Sequence, residues 1–236
     1  MAVYKAIYFD LDNTLVHRAR SISVYARRLY DRYSTIFLNT NPEALEAVIS
    51  KQDNGGYLAK GSGYNSIKEA VSHELHKHFI ADDRLSVEQL RQHWIENFSN
   101  CAVAMEGAYE LLSVLAKHNF HIGIISNGAH KTRVMTANQL QNIGKVKQLV
   151  SSEAFGIKKP NSEIFTATAS AVGFSANECW YVGDHPINDI YGARQAGMNT
   201  IWLKGFHDWP DNLEQPEHSV GSLLDVLDIL LAGCEK

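Results

Sequence analysis

Two strand-like apolar runs, residues 3–9 and 121–126 (HIGIIS), are separated by more than a hundred residues that carry only helical periodicity. Further runs at 149–151, 179–182 (CWYV) and 199–203 (NTIWL) are short, apolar and rich in β-branched and aromatic residues, as buried strands are. Beyond residue 103 these runs alternate with helical patterns at 107–117, 131–143, 162–172 and 187–196, and Gly197 stands where a helix C′ residue belongs. Such alternation implies a mostly parallel sheet covered on both faces. The segment 15–103 interrupts it with helical patterns at 22–37, 42–51, 65–79 and 86–98. Pro42 after Asn41, and Ser86 before an amphipathic run, are helix-start signals. An all-helical insertion of this length between two sheet strands reads as a second lobe rather than a crossover. The expected division is a core of 1–14 and 104–236 with an inserted helical domain at 15–103.

The remaining composition narrows the function classes. The chain has 236 residues and a formal charge of −4, with 45% hydrophobic and 20% charged residues, a balance that excludes disorder as the main state. No basic stripe offers itself to nucleic acid, and no run reaches the ~18 apolar residues of a membrane span. The apolar run at 3–9 meets Asp10 too soon to serve as a signal-peptide core. Cys101, Cys179 and Cys234 are odd in number and far apart, and read as free thiols in a reducing cytoplasm.

The chemistry gathers at strand ends, where open α/β sheets bind ligands. The first strand ends in Asp10-Leu11-Asp12-Asn13-Thr14. Carboxylates two residues apart on extended chain face one side, so one can attack while its neighbour moves protons. The second ends in Ser126-Asn127-Gly128, and the third in Gly183-Asp184-His185-Pro186-Ile187-Asn188-Asp189. Between them lies Lys158-Lys159-Pro160. Each motif alone is compatible with a turn, a helix cap or a solvated loop. Together they place several carboxylates at one sheet edge, which would repel unless a cation sat among them. Carboxylate and carbonyl oxygens without a His/Cys pattern select a hard ion such as Mg²⁺. A lysine, a hydroxyl and turn N–H groups suit phosphoryl oxygens, so the set points to transfer through an aspartyl phosphate.

In this order and at strand ends, the four motifs resemble those of the haloacid dehalogenase superfamily of hydrolases, and the helical insertion resembles its C1-type cap. The resemblance covers essentially the whole chain. It implies a Rossmann-like, doubly wound parallel sheet with an inserted helical cap, and a phosphatase that needs Mg²⁺. By the same resemblance Asp10 is the nucleophile and Asp12 the general acid, then base. Ser126 bonds the phosphoryl group beside the Asn127 N–H, Thr14 supports the first loop, and Lys159 rather than Lys158 neutralises nucleophile and phosphate. Asp184 binds the metal with Asp10 and the Asp12 main-chain carbonyl, and Asp189 orients Lys159 or metal-bound water. His185 departs from the Ser or Thr common at its place, with either a packing role or a part in the metal's outer shell.

Substrate selection is less marked. Arg18 or Arg20, close behind the nucleophile loop, is placed to hold an anionic part of the substrate, whereas Arg27 and Arg28 read as a solvated helix face. His73 and His76 share a helix face from which His78 is rotated away, a poor metal set. The aromatic loop from Trp202 to Trp209 reads as core packing. The expected function is hydrolysis of a small phosphorylated metabolite, nucleotidase-like or directed at sugar-acid phosphates, by a cytoplasmic monomer or homodimer without nucleic acid or membrane. A 2-haloacid dehalogenase and a phosphomutase are the alternatives on the same fold, and a catalytically silent binding module is one outside it. Asp12 argues against the dehalogenase, because carbon–halogen cleavage needs no protonation of the leaving group.

Overall fold

Four consecutive residues with no solvent exposure, Ala6–Phe9, form the strand β1 that carries the chain to Asp10. The computed structural model describes residues 6–37, 39–59, 61–80 and 84–232; the start of the expected first strand, residues 3–5, and Cys234 lie outside them. Among the described residues the sheet has six strands, β1, β2 (His121–Ser126), β3 (Val146–Ser151), β4 (Cys179–Gly183), β5 (Asn199–Leu203) and β6 (His218–Val220). Their order is β3-β2-β1-β4-β5-β6, and every pairing is parallel. This is the doubly wound, Rossmann-like α/β order. Its direction reverses between β1 and β4, and the crevice outside the carboxyl ends of those two strands is where such sheets bind ligands.

The two central strands, β1 and β4, are buried throughout, because crossover helices cover both faces. The edges differ. β3 is only half-buried and carries Lys147 and Gln148 directly after Val146, so its apolar signal starts at Leu149 although its pairing begins at Val146. β6 has three residues, of which only Val220 is buried, and carries no apolar run to announce it.

The chain divides into two compact units, Met1–Val16 with Ala104–Lys236, and His17–Val103. The second is helical, with α1 (Arg18–Arg32), α2 (Pro42–Asp53), α3 (Ile67–Phe79) and α4 (Val87–Asn97). Asn41 caps α2 through Ala44 N, Ser66 caps α3 through Glu69 N, and Ser86 with Gln89 forms a capping box on α4. Ile22, Tyr25, Leu29, Leu45, Ile49, Val71, Leu75 and Trp94 meet in its interior. α1 starts earlier than the apolar pattern, because the His17 side chain accepts from Arg20 N, and it ends at Arg32 rather than 37.

The sheet unit adds α5 (Ala108–Lys117), α6 (His130–Ala137), α7 (Ser152–Phe155), α8 (Ser162–Ser170), α9 (Gly192–Gln195) and α10 (Asp225–Leu231). α6 stops six residues before the expected 143, where Gln139 N and Leu140 N bond three residues back instead of four. The expected helix at 187–196 begins as a wide turn over Pro186–Tyr191, with Ile190 N donating to His185 O five residues back, and becomes α-helical only at Gly192. Among the described residues no helix is long and apolar enough to cross a membrane. Cys101 and Cys179 are buried free thiols.

Candidate active site

Asp10 leaves β1 with its N–H still bonded to Val182 O of β4, so the strand ladder sets its position. Behind it the chain turns tightly. Thr14, Leu15 and Val16 all donate to Leu11 O, and Asn13 takes a left-handed φ of 56°, a conformation asparagine tolerates better than most residues. The turn presents Asp12, whose side chain is one-fifth exposed, while Asp10 is nearly buried. Ser126 and Asn127 leave β2 at the same edge of the sheet.

Lys159 is the hub. Its side chain is 2% exposed, and its ammonium donates to Asp10 Oδ1 at 2.8 Å, Asp189 Oδ1 at 2.6 Å and Tyr181 Oη at 2.8 Å. Three donors meet three acceptors, so the buried charge is fully hydrogen-bonded. The backbone is fixed as firmly. Asn127 Oδ1 accepts from Lys159 N at 2.9 Å and Asn127 Nδ2 donates to Lys159 O at 3.1 Å, a two-way amide clamp between the second motif and the lysine loop. Burial works against the ammonium, yet Asp10 and Asp189 outweigh it and hold Lys159 above its usual pKa.

Asp184 and Asp189 come from the end of β4. Asp184 Oδ1 accepts from Thr14 Oγ1 at 3.3 Å, its carbonyl accepts from Trp202 Nε1 at 2.8 Å, and His207 Nε2 lies 3.4 Å from its Oδ2. Asp189 folds back under the loop, its Oδ2 accepting from His185 N at 3.0 Å. Gly183 makes room for this: a Cβ there would stand 2.5 Å from the Asp189 carboxylate. His185 Nδ1 accepts from Ile187 N and Asn188 N, so its ring caps the wide turn. Burial, with His207 next in weight, pushes its pKa down to about 4, which keeps that nitrogen an acceptor.

Asp10, Asp184 and Asp189 place carboxylate oxygens within 4.8 Å of one another, all buried. Burial first, and then the neighbouring carboxylates, raise the pKa of Asp10, which Lys159 opposes, and raise that of Asp184 well above the usual range. Three carboxylates face one ammonium, a deficit of two positive charges, which is the charge of one divalent cation. The hard oxygen donors fit Mg²⁺. Asp189 is bound more tightly, by Lys159 at 2.6 Å and His185 N at 3.0 Å, than Asp184, whose neighbours Thr14 and His207 stand at 3.3 and 3.4 Å, so Asp10 and Asp184 are the carboxylates best placed to hold it.

The sheet unit thus brings together Asp10, Asp12, Thr14, Ser126, Asn127, Lys159, Asp184 and Asp189. Arg18 and Arg20 belong to the helical unit. There Arg18 is buried and bonds Asp53 twice, Nε to Oδ2 at 2.8 Å and NH2 to Oδ1 at 2.6 Å, with Phe98 beneath its guanidinium; Arg20 is exposed. Sequence reasoning missed four side chains that touch the site. Tyr181 accepts from Lys159 and donates to Ile125 O at 2.9 Å, but in the sequence it is one more apolar residue of a buried strand. Arg133 reaches Asp12 from α6 with nothing in the sequence to set it apart from Lys131. His207 and Trp202 come from the aromatic loop, whose indole and imidazole nitrogens were the available signal.

Comparison with known proteins follows the same lines. The model of the family described as haloacid dehalogenase-like hydrolase matches residues 7–203. The chain is 25% identical to a glyceraldehyde 3-phosphate phosphatase of Methanocaldococcus jannaschii over 239 aligned positions, covering 96% of each chain. It is also 25% identical to the pyrimidine 5'-nucleotidase PynA of Streptococcus pneumoniae, covering 96% of this chain and 95% of that one. Among solved structures, a 2-haloacid dehalogenase from Pseudomonas syringae pv. Tomato superposes with a TM-score of 0.62 at 26% identity, covering 97% of this chain and 99% of the other.

Proposed function

The chain belongs to the haloacid dehalogenase-like hydrolases, and from that premise we propose that it is a Mg²⁺-dependent phosphatase that hydrolyses a small phosphomonoester through a phosphoaspartate. The observation that carries this reading is the buried cluster of Asp10, Asp184 and Asp189 around Lys159, short of two positive charges and set at the β1–β4 switch point. Asp12 two residues on, and the phosphatase names of full-length relatives, support the phosphatase over the dehalogenase.

In this assignment a carboxylate oxygen of Asp10 attacks phosphorus. The bond from phosphorus to the leaving oxygen breaks, and a proton passes from the Asp12 carboxyl to that oxygen. Asp12 then takes a proton from water as the water oxygen attacks phosphorus, which breaks the acyl phosphate and returns Asp10 as a carboxylate. Ser126 Oγ and the Asn127 N–H donate to phosphoryl oxygens, and Lys159 offsets charge on nucleophile and phosphate. Asp189 and Tyr181 fix the lysine, and Thr14 steadies Asp184. Asp10, Asp184 and the Asp12 carbonyl would hold Mg²⁺, which would supply two further positive charges against the phosphoryl group. The names of two relatives, a glyceraldehyde 3-phosphate phosphatase and a pyrimidine 5'-nucleotidase, support a triose phosphate or a nucleotide as the ester. The position of the helical unit directly behind the first motif supports a cap role for residues 17–103. There Arg20, exposed where Arg18 is committed to Asp53, is the more available of the two for an anionic substrate.

A phosphate-release screen over sugar phosphates, phospho-acids and nucleotides tests the proposal. With Mg²⁺ present, phosphate release is expected, lost on chelation and lowered about 10³-fold or more in Asp10→Asn. Halide release from a 2-haloacid without metal would replace the reading with the dehalogenase, and isomerisation of a sugar phosphate without net phosphate release would replace it with the mutase.

A further inference from the structure

Arg133 makes an ion pair at the site that neither the family motifs nor the reaction above accounts for. From the end of the first turn of α6 its NH1 donates to Asp12 Oδ2 at 2.5 Å, with the two side chains 12% and 20% exposed. The residues that hold Arg133 are themselves held. Arg133 N donates to Ala129 O, His130 N to Glu153 Oε2 at 2.9 Å, and Gly128 N to Ser152 Oγ at 3.0 Å, so the start of α6 is fastened to α7. Gly128 is required beneath it. With φ at +136° the position disfavours a side chain, and a Cβ there would stand 3.2 Å from Arg133 Nε.

The guanidinium is also placed at some cost to itself, since its Nε is buried without a hydrogen-bond partner. A side chain kept for packing or stability would not retain a buried donor in that state. The whole geometry instead serves one contact, the Oδ2 of Asp12. A carboxyl that gives its proton to a leaving oxygen must turn the right oxygen towards it, and a charge-assisted bond to one oxygen fixes the direction of the other.

Building on the phosphatase reading, we propose that Arg133 is a positioning residue for proton transfer: it holds Oδ2 of Asp12, so that Oδ1 carries the proton to the leaving oxygen. Arg133 acts on the step in which the bond from phosphorus to the leaving oxygen breaks and the Asp12 proton moves to that oxygen. Its importance therefore follows how much the leaving oxygen needs a proton. An alkyl phosphate expels a strongly basic alkoxide and depends on that proton, whereas p-nitrophenyl phosphate expels a stable phenolate and hardly does.

The experiment compares steady-state kinetics of wild type, Arg133→Met, Arg133→Gln and Asp12→Asn on glycerol phosphate, or the best alkyl ester from the screen, and on p-nitrophenyl phosphate. For Arg133→Met, kcat on the alkyl ester should fall about 30- to 100-fold with KM within about 3-fold, against a loss of no more than about 3-fold on the aryl ester. Arg133→Gln, which keeps an N–H donor, should recover part of the alkyl-ester rate. Asp12→Asn should show the same selective loss in kcat/KM, which reports the leaving-group step, while its kcat falls on both esters because hydrolysis of the shared phosphoaspartate loses its base; adding Arg133→Met should lower kcat/KM no further. Equal losses on both esters would assign Arg133 a structural role, and a raised KM with kcat unchanged would make it a substrate-binding arginine; either overturns the proposal while leaving the phosphatase reading intact. A wild type that releases phosphate from neither ester overturns that reading, and the proposal with it.

Discussion

At the scale of single residues, the candidate site is a matter of who holds Lys159. Tyr181 is the least expected of its partners, and its hydroxyl works in both directions, accepting from the ammonium and donating to Ile125 O. Burial, and then Asp189 and Asp10, push its pKa well up, so it remains a donor at neutral pH. Tyr181→Phe removes one acceptor from a buried cation and one donor from a buried carbonyl. The variant should lose about 1–3 kcal/mol of stability in denaturant unfolding. Its phosphatase activity should also fall, because Lys159 loses one of the three contacts that aim it at Asp10; an unchanged kcat would mean that Asp10 and Asp189 alone suffice to aim the lysine. Asp10, Asp12, Lys159, Asp184 and Asp189 are legible in the sequence because strand ends and short spacings bring carboxylates together without knowledge of long-range packing. Tyr181, Arg133 and His207 are not, since each joins the site through contacts across 8 to 121 positions of chain that no local pattern encodes, and each has an ordinary reading as core or surface where it stands.

At the scale of elements, legibility follows burial. Strands covered on both faces leave continuous apolar runs, so β1, β2, β4 and β5 stand out. The edge strands β3 and β6 are polar on one side or very short and fade into loop. Helix ends were least legible, since α1 starts from a histidine cap and the wide turn at Pro186–Tyr191 is set by His185. Another histidine joins α1 to α4 within the helical unit. His93 Nδ1 lies 3.0 Å from Tyr25 Oη, both residues are buried, and the Tyr25 ring packs against Trp94 and Phe98. Burial, and then Arg32, lower the His93 pKa from 6.5. The unfolded chain therefore binds a proton at His93 more readily than the folded one, and the contribution of His93 to stability is lost as pH falls below 6.5. Urea unfolding at pH 7.5 and 5.5 should show a larger drop for wild type than for His93→Gln, whose amide does not titrate. An equal drop in the two proteins would place the acid sensitivity elsewhere.

At the scale of the whole molecule, a net charge of −4 and a phosphate substrate are reconciled by where charge sits rather than by how much there is. The doubly wound order brings the ends of β1 and β4 side by side, and with them Asp10 and Asp184, although 174 positions of sequence separate the two. Folding thus concentrates like charges that the unfolded chain keeps apart, and Lys159 compensates only one of them. A divalent cation that bound this arrangement and not the unfolded chain would stabilise the fold by mass action. At about 100 times its dissociation constant, Mg²⁺ should add about 2.7 kcal/mol, or about 5–10 °C in Tm for a chain of this length. Scanning calorimetry of the EDTA-treated protein with and without Mg²⁺ measures this directly. Asp184→Asn removes one of the crowded carboxylates, so it should raise the Tm of the metal-free protein while abolishing the Mg²⁺ shift. A variant that keeps the full shift would place the cation away from the end of β4, and a wild type with no shift would leave the charge deficit to be met by protons on Asp10 and Asp184.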